Sequence, residues 1–250
     1  MIKVITFDLW DTVFIDDSDE KTRQAKGMNS KPVERRHIIR SFLEKTKAIS
    51  QESVNTAYDT ADAAFRHVWY QQGVTWTVRE RLEIILKGLQ RKVTENDLKE
   101  MVRLHEEMEL EIMPELAPDI RQAIAELHQS YKLAVISDTI FSPGRVLKKI
   151  LERYDLLKYF SAFAFSDEIG CAKPDPRVFE SIGNQLNLPT ESFIHIGDRE
   201  EKDVAGPHAV GAKAVLTTVV KDRGSSNTKA EAICKDYSYL VELIDDISRG

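Results

Sequence analysis

Cysteine is scarce in this chain: Cys171 and Cys234 are the only two in 250 residues, with no close spacing between them. Two such cysteines build neither a disulfide framework nor a zinc site, so both are read as reduced. Cys171 lies two residues before Lys173, but no His or helix N-terminus is identifiable beside it to activate a thiolate, and it reads as small core filler. Long hydrophobic runs are missing too. Nothing approaches the ~20 apolar residues that cross a bilayer, and the first residues form a strand rather than a signal-peptide core. The expectation is a cytoplasmic protein with no membrane partner. An excess of basic charge is also absent: 35 Lys and Arg face 41 Asp and Glu, a formal −6, which argues against a nucleic-acid partner. There is no internal repeat and no low-complexity tract. What remains, 42% hydrophobic and 30% charged, is the composition of a globular protein long enough for one large domain or a core with an insert.

The apolar run at residues 2–7 ends abruptly in Asp8, with Asp11 close behind. A polar loop without periodicity follows, from Asp16 to Lys31. Four helical stripes come next, carried by Ile38, Ile39, Phe42 and Leu43, then Val54 to Val68, Leu82 to Leu89, and Leu98 to Met108. The last is opened by the capping sequence Thr94-Glu95-Asn96-Asp97. Helices with no strand between them do not fit a βαβ register, so a helical domain inserted after the first strand is expected. From Pro118 the pattern alternates: helix to Leu127, strand 131–136, helix 144–153, strand 161–166, helix 176–186, strand 193–196, helix 202–210, strand 213–217. A loop at 224–227 and a closing helix from Tyr239 to Ile247 complete it. Continuous apolar strands belong to parallel sheets covered on both faces. The fold class is therefore α/β: a doubly wound, Rossmann-like parallel sheet with an inserted all-helical cap. The expected boundaries are a core of residues 1–16 and 115–250 and a cap of 17–114.

Open α/β sheets place their chemistry at the carboxyl ends of their strands, and four segments put suitable groups there or in adjoining turns. Asp8 can act as a nucleophile that splits one hard step into two. Ser137, after Leu133-Ala134-Val135-Ile136, can donate a hydrogen bond to an oxygen as charge moves onto it. Lys173, in Ala172-Lys173-Pro174-Asp175-Pro176, can neutralise a carboxylate and a phosphate together. Asp198 and Asp203, in Gly197-Asp198-Arg199-Glu200-Glu201-Lys202-Asp203, are a pair suited to a hard cation that prefers oxygen ligands. His195 precedes that pair inside an apolar strand and reads as a satisfied core histidine. Asp138 is assigned no role. In this order and spacing the chain resembles the haloacid dehalogenase superfamily, most of whose members are magnesium-dependent phosphatases. The resemblance implies a Mg²⁺ ion on Asp8, Asp198, the backbone carbonyl of Trp10 and, directly or from behind, Asp203. It also implies phosphate contacts from Thr12, Ser137 and Lys173, and a small phosphorylated substrate. Gly206 and Gly211 match the family pattern and are read as allowing close helix packing.

One position departs from that pattern. Phosphatases of the family carry an acid two residues after the nucleophile, and here that residue is Trp10; the carboxylate stands one place later, at Asp11, where the family usually has Gly. General acid–base help of this kind is worth ~10²–10⁴-fold in rate. Three readings follow. The first is a Mg²⁺-dependent phosphohydrolase that acts through an aspartyl-phosphate, on a good leaving group or with its acid drawn from Asp11, the cap or the substrate. The second is a weak or inactive member that binds a phosphorylated ligand as an interaction module. The third is a 2-haloacid dehalogenase-like enzyme, although that branch replaces the metal-binding Asp that this chain keeps at Asp198. Phosphonate-cleaving relatives also lack the acid, but need a cap lysine that the sequence does not reveal. In the cap, Lys47, Arg66, His67, Trp69 and Arg79 are the candidates for reading a substrate, and the assembly is expected to be a monomer or homodimer.

Overall fold

The computed structural model describes residues 1–249. The chain enters through β1 (Val4–Phe7), all of it buried. Six helices follow: α1 (Asp19–Ala25), α2 (Lys31–Glu44), α3 (Gln51–Gln72), α4 (Val78–Gly88), α5 (Glu95–Glu106) and α6 (Met108–Glu111). The alternating part then runs α7 (Ile120–Leu127), β2 (Lys132–Ser137), α8 (Gly144–Arg153), β3 (Phe160–Phe165), α9 (Ser166–Ile169), α10 (Pro176–Leu186) and β4 (Phe193–Gly197). It closes with α11 (Gly206–Ala209), β5 (Lys213–Thr217), β6 (Ala232–Cys234) and α12 (Leu240–Arg249). The strands form one sheet in the order β3-β2-β1-β4-β5-β6, and every pairing is parallel. The chain builds outward from β1 to β3, then returns to lay β4 on the other side of β1. The carboxyl ends of β2, β1 and β4 are therefore neighbours at the point where strand order reverses, where such sheets bind ligands.

Apolar residues between Ile38 and Met108 make a cluster of their own, separate from the two clusters that cover the sheet. The two chain crossings between helices and sheet are paired with each other. Ile15 N–H donates to Glu115 O, and Ala117 N–H to Val13 O, both at 2.9 Å. Ser18 Oγ takes Glu115 N–H at 2.8 Å.

Several elements differ from expectation. The segment 16–31 carries α1, a helix whose buried residues are Asp19 and Arg23; two turns with a charged inner face show no hydrophobic period. The helix expected at 202–210 is a π-helical turn at Glu200–Ala205 followed by α11. β6 was not anticipated, being three residues long. Gly211 has φ +77°, a left-handed turn that favours glycine, and an added Cβ would also lie 2.9 Å from Glu191 Cγ. Gly206 does pack closely, since an added Cβ would lie 3.1 Å from both Pro174 and Phe179.

His105, on the inner face of α5, is buried and uses only Nδ1, against Met101 O at 2.8 Å. Burial pushes it down to about 4. The unfolded chain therefore takes the proton first on acidification, so this part of the stability is full above the ordinary value near 6.5 and is lost as pH falls to about 4. Urea unfolding should show stability declining through that window by on the order of 3 kcal/mol from this group. His105→Leu should flatten that slope.

Candidate active site

Asp8 follows β1 directly, and its backbone N–H donates to Ile196 O of β4 at 2.9 Å. Lys173 Nζ reaches it from the turn before α10, 2.9 Å from Asp8 Oδ1, and also donates to Asp203 Oδ1 at 2.5 Å. Asp203 accepts from His195 Nε2 at 3.1 Å and, on Oδ2, from Arg199 N–H at 2.9 Å. His195 Nδ1 pairs with Thr6 Oγ1 at 2.8 Å, across strands that hold Thr6 and His195 in register. Thr6, Asp8, Lys173, His195 and Asp203 are all buried. His195 is thus a satisfied interior histidine, but one that orients the site.

Charge and burial compete here. Burial pushes Asp8 up, against the pull of Lys173. Burial would raise Asp203 as well, but Lys173 and His195 outweigh it and hold that carboxyl below the ordinary range. Burial would lower Lys173, but Asp203 and Asp8 outweigh it and keep the ammonium charged. Asp198 is driven up to about 6, first by burial and then by Asp8 and Asp203. Among the described residues, Asp8, Asp198 and Asp203 are the one group of carboxylates and other ligand-type side chains close enough to share an ion, with oxygens within 4.8 Å of one another. Asp198 Oδ1 is buried with no hydrogen-bond partner among the described residues. Both Asp203 oxygens are already spent on protein donors, which suits it to bracing the cluster.

The hydroxyls of Thr12 and Ser137 are likewise buried without partners among the described residues, and neither lines the cavity beside Asp8. Asp138, given no role above, accepts from Lys173 N–H at 2.9 Å and from Lys202 Nζ at 2.6 Å. Lys202 in turn sits 3.2 Å above the ring of Trp69 on α3. Cys171 is buried among apolar residues, and burial pushes its thiol up.

Trp10 lines the cavity and packs edge-on against Phe14, with ring centroids 5.8 Å apart. Asp11 has φ +53°, a conformation that glycine adopts freely and Asp tolerates. Its Oδ1 accepts Asp16 N–H at 3.1 Å and its Oδ2 accepts Arg223 Nη2 at 2.5 Å. Both Asp11 oxygens thus accept hydrogen bonds from the protein. Arg223 also donates to Asp198; nothing in the loop sequence announced it.

The cavity holds about 440 Å³, within the range of small-molecule sites. Of the helical candidates, Arg66 and Trp69 line it, whereas Lys47, His67 and Arg79 do not. Arg79 pairs with Glu83 and Glu95 at 2.9 Å on an exposed face. The expectation that it reads substrate is corrected: its charge is spent between helices. Lys31 and Arg35 are among the cavity residues that were missed. They lie at helical spacing on the buried stripe of Ile38, Ile39 and Phe42, and a cation on an apolar stripe was the available signal. Lys31 is held by Asp19 at 2.8 Å and Asp17 at 3.1 Å. Arg35 lies 3.4 Å over the ring of Phe141, and its Nε has no partner among the described residues.

Gly197 leaves room for this geometry, because an added Cβ would lie 2.3 Å from Asp203 Cγ. Gly197→Ala should push Asp203 off Lys173 and His195 and cost about 1–3 kcal/mol by urea unfolding, with Asp198 displaced as well.

The profile of the haloacid dehalogenase-like hydrolases matches residues 2–211. A phosphorylated carbohydrates phosphatase from Thermotoga maritima is 32% identical over 124 residues, which are 48% of this chain and 55% of that protein. The chain thus spans about half the length of that curated relative. A HAD phosphatase from Thermococcus onnurineus has the same fold, with TM-score 0.63 and 19% identity over 97% of this chain and 98% of its own. A magnesium-bound HAD-hydrolase from Bacillus subtilis superposes with TM-score 0.61 and 16% identity, over 98% and 99%. With strand ends, buried lysine and paired aspartates in their expected order, the chain belongs to the haloacid dehalogenase-like hydrolase family.

Proposed function

We propose that this protein is a magnesium-dependent phosphohydrolase of a small phosphorylated metabolite, acting through a phosphoryl group carried transiently on Asp8. The observation that carries the reading is Asp8 itself: a carboxylate at the reversal point of the sheet, 2.9 Å from a buried lysine, facing a cavity of about 440 Å³. The T. maritima relative, named for phosphorylated carbohydrates, supports a substrate of that size and polarity.

The donor set fits a hard divalent ion: clustered carboxylates, one buried oxygen of Asp198 unspent, and mutual repulsion that a cation would relieve. We assign Asp8 and Asp198 to Mg²⁺, with the Trp10 carbonyl by resemblance and Asp203 bracing them. When bound, the ion would offset the charge of substrate and carboxylates together. The chain's own residues supply the rest. Asp8 attacks phosphorus, and the bond to the leaving oxygen breaks. Water then releases phosphate and restores Asp8. Lys173 keeps the Asp8 carboxylate in place and balances charge on the phosphoryl oxygens. We read residues 17–114 as a cap over the core of 1–16 and 115–250, with Arg35 and Arg66 touching the part of the substrate that varies. Trp10 can neither give nor take a proton, so the leaving group departs as an anion.

A leaving-group series tests this. Aryl and acyl phosphates should be cleaved ~10²–10⁴-fold faster than alkyl phosphates, EDTA should abolish turnover, and Asp8→Asn should remove it without unfolding the protein. Turnover of 2-haloacids that persists in EDTA would replace phosphate chemistry with dehalogenation. Tight phosphate binding with no turnover of any ester would make the protein a binding module.

A further inference from the structure

Arg223 lies between β5 and β6, and its guanidinium bridges two carboxylates. Nη2 donates to Asp11 Oδ2 at 2.5 Å, and Nε donates to Asp198 Oδ2. The turn is built to hold it there. Asp222 accepts from Gly224 N–H at 2.9 Å, Ser225 N–H at 2.8 Å and Ser225 Oγ at 3.0 Å, and Gly224 takes φ +101°. Arg223 is an exposed residue whose side chain, about a quarter exposed, lies against the carboxylates, and it does not line the substrate cavity. It also lies beyond the residues matched by the family profile. What it touches is the acidic cluster, from the side that Lys173 does not reach. Asp198 is thereby divided: Oδ2 goes to Arg223, while Oδ1 is buried with no hydrogen-bond partner among the described residues, Arg199 Nε lying 3.9 Å away.

We propose that Arg223 is an internal counter-cation that competes with a divalent cation for Asp198 and so sets the affinity of the acidic cluster for metal. This rests on the reading of Asp8 and Asp198 as the carboxylates that hold the ion. Without Arg223, Lys173 would still pair with Asp8 and Asp203. Asp198 would keep among the described residues only a loose contact, 3.9 Å, to the partly exposed Arg199, and the three carboxylates would repel one another. A fixed guanidinium relieves that strain in the metal-free protein. The same charge then opposes an arriving dication and claims half of the carboxylate that must bind it. Asp11 is the second anchor, and it keeps part of the guanidinium turned away from Asp198.

The test is titration calorimetry of the full-length, metal-free protein with MgCl₂, together with its melting temperature in the absence of metal. Arg223→Gln should bind Mg²⁺ about fivefold or more tightly than wild type and melt lower without metal, with the difference closing at saturating Mg²⁺. Arg223→Lys keeps the charge and should stay near wild type. Asp11→Asn leaves the whole guanidinium to Asp198 and should weaken Mg²⁺ binding, and it decides the matter if Arg223→Gln does not fold. Unchanged or weaker Mg²⁺ binding in Arg223→Gln, or unchanged binding in Asp11→Asn, overturns the proposal; Arg223 then merely positions Asp198. Asp198→Asn is the control for the underlying reading. If it binds Mg²⁺ as well as wild type does, the metal assignment fails and takes the competition with it. If its binding is lost while Arg223→Gln matches wild type, only the competition fails.

Discussion

A single buried ammonium, Lys173 Nζ, is the contact on which the site depends. It touches Asp8 at 2.9 Å and Asp203 at 2.5 Å, and through Asp203 it is linked to His195, Thr6 and the backbone of Arg199. One charge thus connects the turn before α10 with β1, β4 and the π-helical turn. Removing ions from water costs several kcal/mol each, and the cost is recovered only when partners and hydrogen bonds are complete. That requirement makes the cluster cooperative. It also explains why Gly197 bears no side chain beneath Asp203, and why a second cation, Arg223, is brought to the far side of Asp198.

The same economy of charge shapes the chemistry. In the loop after β1, three backbone N–H groups, of Thr12, Val13 and Phe14, turn back onto Leu9 O. Asp11 takes the left-handed conformation within that turn. A carboxylate placed there is drawn to Arg223 and to Asp16 N–H. Trp10 fills the neighbouring wall with an indole that transfers no proton. On the proposed reading, such a site has strong groups for holding an anion beside the Asp8 nucleophile and weak means of protonating what leaves, which favours a reactive phosphate ester as substrate.

Much of this was legible in the sequence, and the limits have physical causes. The continuous apolar runs of β1, β2 and β4 read plainly because parallel strands are buried on both faces. Asp8, Lys173, Asp198 and Asp203 read plainly because each follows a strand or sits in a proline- or glycine-marked turn. α1 was invisible because its inner face carries Asp19 and Arg23, and periodicity registers only apolar residues. Lys31 and Arg35 were missed although they continue the stripe of α2. Arg223 had no local signal, since its meaning comes from carboxylates 25 and 212 residues away. The pairing of Lys202 with Trp69 and Asp138 was hidden for the same reason. Arg79 and Arg66 looked alike in sequence, and only packing separates the helix-to-helix ion pair from the cavity wall.

The central claim is that Asp8, held by Lys173, becomes covalently phosphorylated. Acid-quenched incubation with an aryl phosphate, followed by peptide mapping by mass spectrometry, reads this directly. The account predicts a phosphoryl increment on the peptide that contains Asp8, absent in Asp8→Asn and discharged by hydroxylamine as an acyl phosphate. An increment on Ser137 or Cys171, or steady turnover with no increment on Asp8 under single-turnover quench, would contradict it.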